Sequence, residues 1–354
     1  METPLKSEHL AAGAQLIEAN ETVLPETFAG FDREYRAGRD RVALLDTNWH
    51  AITALTGPDR VRYLNAIVSN NVQALPHGRG CLALLLSPQG RILAELEIYS
   101  LSDKLLVLSH VSVRERTHAT MDKYIIMDDV HLEDVTDKMA SVALEGPLSG
   151  AIVEQACGVA IDTLPEFAIA DTSVVHTPCH LIRRSHFGLP GAEFVTRRDR
   201  VASLWKTLLG AISVHEGEPV GMGALNSLRL EAGIPWFPMD FNDTVIPHEA
   251  AIESTHISFS KGCYTGQEIV ERVRSRGHVN RRRVGLKFTT IEPPAVGARM
   301  RAGTTDVGIV TSSAMSPQAG TPIGMGYLRN EQAEPGTDVE CEDGLATVTV
   351  FPEK

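Results

Sequence analysis

The sequence predicts an α+β protein: two related α/β layers around a central cleft, then a small antiparallel β-barrel. Three observations carry this. At 354 residues the chain exceeds one ordinary core and fits two or three domains. A strand, a Gly-Pro turn and a helix occur twice, at Leu55-Thr56-Gly57-Pro58 and at Leu144-Glu145-Gly146-Pro147. Near Val284 the texture changes to short alternating runs, such as 307–310 and 346–350, punctuated by glycines, the pattern of a barrel or sandwich. The expected domains are 1–135, 136–283 and 284–354.

Taken in order, residues 1–40 read as a polar lead-in, with a helix over 11–19 and a charged surface stretch at 33–41. Residues 51–55 are strand-like, and Pro58 suits the first turn of a helix carrying Val61, Leu64 and Val68. Runs at 81–86, 92–99 and 105–108 read as an antiparallel meander. Ser112-Val113-Arg114-Glu115 has the spacing of a capping box opening a helix to Tyr124. The second copy repeats the layout, with a strand at 141–144, a helix to Ala156, strands at 181–184 and 193–196, and a helix after Asp199 that Gly210 ends. Residues 223–233 form a helix, and the prolines of Ile234-Pro235-Trp236-Phe237-Pro238-Met239-Asp240 exclude regular helix beyond it.

Apolar content of 43% and charged content of 22% suit a folded soluble protein. Asp and Glu outnumber Lys and Arg by 45 to 33, which argues against broad binding to nucleic acid or anionic membranes. The five cysteines are scattered, with no C-x-x-C pair, which suggests a reducing compartment without a disulfide framework. No apolar run approaches about 20 residues. The expectation is a cytoplasmic protein with no membrane partner.

Lys261-Gly262-Cys263-Tyr264-Thr265-Gly266-Gln267-Glu268 is the stretch with the most chemistry. Beyond Gly266, Ile269, Val270 and Val273 share a helical face, which puts Cys263 in a tight turn at a helix N-terminus. Helix dipole and Lys261 would then both favour thiolate. The bland alternative is a small buried cysteine capping a core helix. Residues 234–240 carry rings beside carboxylates, loop chemistry for a flat heteroaromatic ligand. Glu231 can accept two parallel N–H bonds, or it can simply pair with Arg229. Arg272, Arg274, Arg276, Arg281, Arg282 and Arg283 form a basic cluster that would grip a polyanion, either a polyglutamate tail, a phosphate or RNA, or make inter-domain ion pairs. His176, Cys179, His180 and His186 match no zinc spacing, and no metal site is expected.

The eight residues from Lys261 to Glu268 resemble the K-G-C-[aromatic]-x-G-Q-E signature of the YgfZ family of folate-binding proteins, relatives of the glycine cleavage T-protein. Leu228-Arg229-Leu230-Glu231-Ala232-Gly233-Ile234-Pro235 is similar to the R-L-E-A-G-x-P motif of that superfamily, and Pro247-His248-Glu249-Ala250 to its P-x-E-A. Gly308-Ile309-Val310-Thr311-Ser312, Ser316-Pro317 and Gly326-Tyr327 are similar to its barrel. The resemblance implies the three-domain T-protein fold, with tetrahydrofolate or a one-carbon form of it in a central channel and Glu231 as the pterin carboxylate.

Two activities lie within the superfamily. T-proteins are aminomethyltransferases and carry a paired Asp-Asp; here Ala94 and Glu95 stand at those positions. A carboxylate one methylene longer is displaced, and about 1 Å costs about 100-fold in rate. Leu225-Asn226 also departs from the T-protein pattern. YgfZ-like proteins bind tetrahydrofolate and support iron–sulfur cluster assembly or repair in client enzymes, including tRNA-modifying ones, and that is the reading the motif favours. The alternatives are one-carbon transfer of the T-protein class and an RNA-binding role for the arginine cluster. The candidate catalytic residues are Cys263, Lys261 and Glu95. The candidate ligand contacts are Glu231, Arg229, Trp236, Asp240, Tyr264, Gln267 and Arg272.

Overall fold

The computed structural model describes residues 1–351, and of Arg276 only the backbone. The last three residues of the expected barrel lie outside the described residues. Two compact units form: Met1–Leu85, Ala94–Leu225 and His256–Tyr264 make the first, and Leu86–Leu93, Asn226–Thr255 and Thr265–Lys354 the second.

The first unit opens with α1 (Lys6–Ala11), β1 (Gln15–Ala19), β2 (Thr22–Thr27) and α2 (Phe31–Asp40). The single helix expected over 11–19 is therefore corrected to a helix end and a strand. Asn20 and Glu21 both take positive φ, 49° and 65°, the two-residue turn whose twist suits a hairpin, and this commits 15–19 to pairing with β2. The charged stretch at 33–41 is no plain surface either, because α2 buries Glu34, Tyr35, Ala37 and Gly38.

There follow β3 (Ala43–Asp46), β4 (His50–Thr56), α3 (Arg60–Ile67), β5 (Arg79–Leu86), β6 (Ile92–Ser100), β7 (Leu105–His110), α4 (Arg114–Lys123) and β8 (His131–Asp134). The second copy runs through β9 (Met139–Glu145), α5 (Ser149–Cys157), β10 (Ile169–Val174), β11 (Thr177–Arg183), β12 (Gly191–Arg197), α6 (Val201–Ser213) and β13 (Glu218–Pro219). The sheets have the orders β5-β6-β7-β4-β8 and β10-β11-β12-β9-β3-β13. In each, the first strand leads through Gly-Pro to a helix, and the third strand of a meander returns beside the first. The glycine is required in both turns. Gly57 and Gly146 sit at φ +98° and +136°, and a Cβ would meet Asp129 O at 2.2 Å or Arg41 O at 2.6 Å.

The copies differ at one edge. β8 pairs antiparallel with β4, whereas β3, from ahead of the first copy, takes the matching place beside β9. The boundary at 135 thus divides sequence repeats, not sheets. Ile52, Tyr99, Leu106 and Leu108 of the first sheet share a core with Ile169, Ile182 and Val195 of the second. A larger core lies under α5 and α6, around Phe194, Leu204, Trp205 and Leu208.

Two local expectations fail for physical reasons. Ser112 makes no capping box; its N–H donates to His110 Nδ1 and a 3-10 turn precedes α4. Gly210 does not end α6, which continues to Ser213 because its buried face, Val201, Leu204, Trp205, Leu208 and Ile212, outweighs one exposed glycine.

α7 (Met222–Glu231) leads into the second unit, followed by the irregular 232–246, α8 (Pro247–Ala250), α9 (Glu253–His256) and α10 (Gln267–Arg276). The last part is β14 (Arg281–Phe288), β15 (Arg299–Ala302), β16 (Thr305–Ser316), β17 (Thr321–Arg329), β18 (Asp338–Cys341) and β19 (Gly344–Thr349). They close as an antiparallel barrel in the order β14-β17-β16-β15-β18-β19, around Leu286, Phe288, Met300, Val310, Leu328 and Val348.

Candidate functional site

Cys263 is exposed, unlike the small buried cysteine of the bland alternative. It does not sit at the helix start. The N-cap of α10 is Gly266, at φ +83°, where a Cβ would stand 2.6 Å from Ser87 O. Cys263 lies three residues before that cap, outside any regular element. Nor does Lys261 serve it. Its buried ammonium donates to the carbonyls of Asn65, Val68 and Asn70 and lies 5.2 Å over the Tyr264 ring. Burial pulls Lys261 down to about 8, against the Cys81 thiol, and burial pushes Cys81 up to about 12. The sequence reading of a lysine activating Cys263 is corrected to one anchoring residues 65–70. The strap from His256 to Tyr264 is tied further: Ser69 Oγ donates to His256 O at 2.7 Å, and His256 Nε2 meets Glu95 Oε1 at 2.8 Å.

In the second unit the structure brings together Arg229, Glu231, Trp236 and Asp240. Arg229 and Asp240 are wholly buried and ion-paired, Nη1 to Oδ2. The other oxygen of Asp240 accepts from Thr311 Oγ1 at 2.7 Å and Ser312 Oγ at 2.5 Å. Trp236 lies 4.9 Å over the Arg229 guanidinium. Burial opposes the charge on both partners; with the Arg229 charge and the hydroxyl donors Asp240 still lies below the usual carboxylate range, whereas the Asp240 charge does not offset burial at Arg229, which is lowered. With Asn226 Oδ1, Ile234 O and the two hydroxyls, this pair ties the end of α7 and the 234–240 segment to the barrel. Glu231 is half-buried, and Oε1 accepts from Ser316 Oγ at 2.5 Å and from Gln318 N at 3.3 Å. Gln267 is half-buried at the first position of α10.

The arginine cluster is partly ion-paired. Arg272 pairs with Glu268, Arg274 with Glu271 and Arg281 with Glu249. Arg283 is buried against Ala250 O and the Phe351 ring. The side chain of Arg276 lies outside the described residues. Ion pairs thus engage Arg272, Arg274 and Arg281, while Arg282 is exposed.

A buried polar cluster in the first unit escaped the sequence reading. His50 Nδ1 stands 3.2 Å from Glu193 Oε1, which also accepts from Thr47 Oγ1 at 3.0 Å. Trp49 Nε1 donates to His50 Nε2 at 3.0 Å. Glu193 Oε2 is 3.4 Å from His186 Nε2, too poorly aligned for a hydrogen bond. Beside them Arg184 Nε donates to Glu97 Oε1 at 2.8 Å, and Tyr99 OH to Glu97 Oε2 at 2.6 Å. Burial would suppress each charge; opposite charges win. Glu193 is held well below the usual carboxylate range by His50 and His186, Glu97 is lowered by Arg184 and His50, and His50 is raised by Glu193. The signal was slight: Glu97 and Glu193 interrupt apolar strands that a one-sided sheet would present to solvent. His186 belongs here, whereas His180 pairs with Asp171 and Cys179 faces the core. Among the described residues no group of three His, Cys, Asp or Glu could hold a metal ion, and no helix is long and apolar enough to cross a membrane.

The family model of the GCVT N-terminal domain matches residues 5–261. The chain belongs to the GCVT family. Its barrel matches the glycine cleavage T-protein C-terminal barrel domain over 281–352. This GCVT-family chain is 28% identical over 350 residues to an aminomethyltransferase of Rubrobacter xylanophilus, covering 99% of the chain and 92% of the relative. It is 29% identical over 342 residues to that of Halothermothrix orenii, covering 95% and 94%. Its fold matches the crystal structure of glycine cleavage system aminomethyltransferase T from Bartonella henselae, with a TM-score of 0.90, 24% identity and 99% and 97% of the two chains covered.

Proposed function

We propose that this GCVT-family protein binds tetrahydrofolate or a one-carbon form of it, and that its reaction class is one-carbon transfer related to that of the aminomethyltransferases it resembles. The observation that carries the binding site is Glu193. It is a fully buried carboxylate with one oxygen lacking an aligned donor, beside His50 and His186. A ring edge with two N–H groups would supply that donor. Glu231, the carboxylate the resemblance points to, already holds the Ser316 hydroxyl. The test is an anaerobic tetrahydrofolate titration of wild type, Glu193→Gln and Glu231→Gln. Loss of at least tenfold in affinity for Glu193→Gln alone supports the reading; equal binding by all three moves the site elsewhere, and no binding by wild type rejects folate.

A second reading rests on Glu95 and Cys263. The carboxylate at the T-protein aspartate position is engaged by His256, and the motif thiol is exposed. Both favour a folate-dependent protein that serves iron–sulfur client enzymes through Cys263 over one that turns over aminomethyl groups. Ammonia release from aminomethyl-lipoate with tetrahydrofolate separates the two: robust turnover that survives Cys263→Ala sinks the second reading. In that reading folate gates the exposure of Cys263, and alkylation equally fast with and without folate rejects the gating. The three-part division at 135 and 283 stands as part of the same proposal.

A further inference from the structure

The second unit holds a recess of about 230 Å³ between the loop at 239–245 and the barrel wall, room for about eight waters. Of the residues weighed above, Asp240, whose charge Arg229 already takes, and Arg281 line it. Its floor is Tyr327, whose hydroxyl donates to Asp240 O at 2.8 Å. Its walls include Val245 and Val310, and on its rim Val296 and Ile309 are 68% and 42% exposed.

One charged group faces this apolar space. Arg281 stacks 5.3 Å over the Tyr327 ring, and its Nη2 donates to Thr244 O at 2.6 Å. Arg91 Nη1 donates to the same carbonyl at 2.7 Å. Among the described residues Glu249 is the one carboxylate paired with them, 3.4 Å from Arg281 and 3.5 Å from Arg91, two guanidinium groups to one carboxylate. Asp243 on the same loop is exposed, where solvent screens it. The Nη1 of Arg281 has no partner among the described residues. A guanidinium immobilised by a ring and a carbonyl, with donors spare, is set up for a carboxylate.

We propose that this recess binds a small carboxylate with an aromatic or branched apolar body, the carboxylate on Arg281 and the body against Val245, Val296 and Ile309. The ligand class is read from charge and walls together, and does not depend on the folate reading. The test titrates the whole protein with benzoate, benzamide and inorganic phosphate, followed by the chemical shifts of the Val and Ile methyl groups.

Saturable benzoate binding that moves the Val296 and Ile309 signals, and weakens about tenfold in Arg281→Gln or with benzamide, is expected. Val296→Trp, a rim change that a folded chain tolerates, should block it even if Arg281→Gln fails to fold. Absence of saturable benzoate binding in wild type, or binding indifferent to Val296→Trp, overturns the proposal. Phosphate binding as tight as benzoate overturns the apolar part and leaves only an anion site.

Discussion

Glu193 and His50 face each other across 3.2 Å in the interior of the first unit, and each favours the charged form of the other. The pair joins β4 of one sheet to β12 of the other. A buried pair of this kind stabilises little against an apolar substitute, but breaking it is costly. Glu193→Gln should lower unfolding free energy by about 3 kcal/mol and drop the His50 titration to or below the ordinary histidine range. Denaturant melts and the His50 ring-proton titration check both. A His50 that still titrates high in the variant would mean that another group holds its charge.

The pH window follows from the same groups. His50 is raised, so its contribution is present below the ordinary histidine pKa of 6.5 and is lost as pH rises through the folded value. Glu193 and Glu97 are lowered, so theirs is present above the ordinary 4.5 and lost as pH falls through the folded values. His110 adds to the acid side: burial, then the His50 charge, lower it from 6.5 to about 3. Its stabilisation is present above 6.5 and lost as pH falls toward 3. Stability should therefore fall between those values, and His110→Asn should flatten that part of the curve. An unchanged slope would assign the acid transition to the carboxylates.

Asp240→Asn should cost about 3–5 kcal/mol, because it strands a buried guanidinium. Arg229→Met with Asp240→Leu should recover most of that loss. Urea unfolding of the single and double variants gives the comparison. If Asp240→Asn is neutral in stability yet abolishes ligand binding, these two residues belong to a binding site after all.

Lys261→Met should leave three carbonyls of the 65–70 segment without a donor, at about 1–3 kcal/mol each before relaxation, and open that segment to hydrogen exchange. Cys263 alkylation in the variant should keep its rate and pH profile. A slowed, right-shifted profile would restore Lys261 as the activator of the thiol.

Much of the architecture was legible because it is written in local pattern. The Gly-Pro turns at Gly57 and Gly146 marked the repeat, and the alternation after Val284 marked the barrel, which begins slightly early, at Arg281. What was not legible depends on contacts distant in sequence. Lys261 looked like a neighbour of Cys263, and only the fold brings Asn65, Val68 and Asn70 to its ammonium. Glu97 and Glu193 drew no reading as strand residues, because periodicity cannot tell that a second layer covers the polar face. Arg229 and Asp240 stood eleven residues apart in an irregular stretch, and a sequence does not reveal that they pair with each other.

The placement of β3 bears on how the molecule is made. Ala43–Asp46 leaves the ribosome before any strand of the first repeat, yet its antiparallel neighbour, Met139–Glu145, is synthesised about ninety residues later, a delay of about 5–20 s at ordinary elongation rates. Until then an apolar strand, Ala-Leu-Leu-Asp, has no ladder to join. A nascent chain halted between the repeats should hold the first sheet complete and this strand unprotected, exposed to holdase chaperones and proteases. The second sheet closes only when the polypeptide returns to its own beginning.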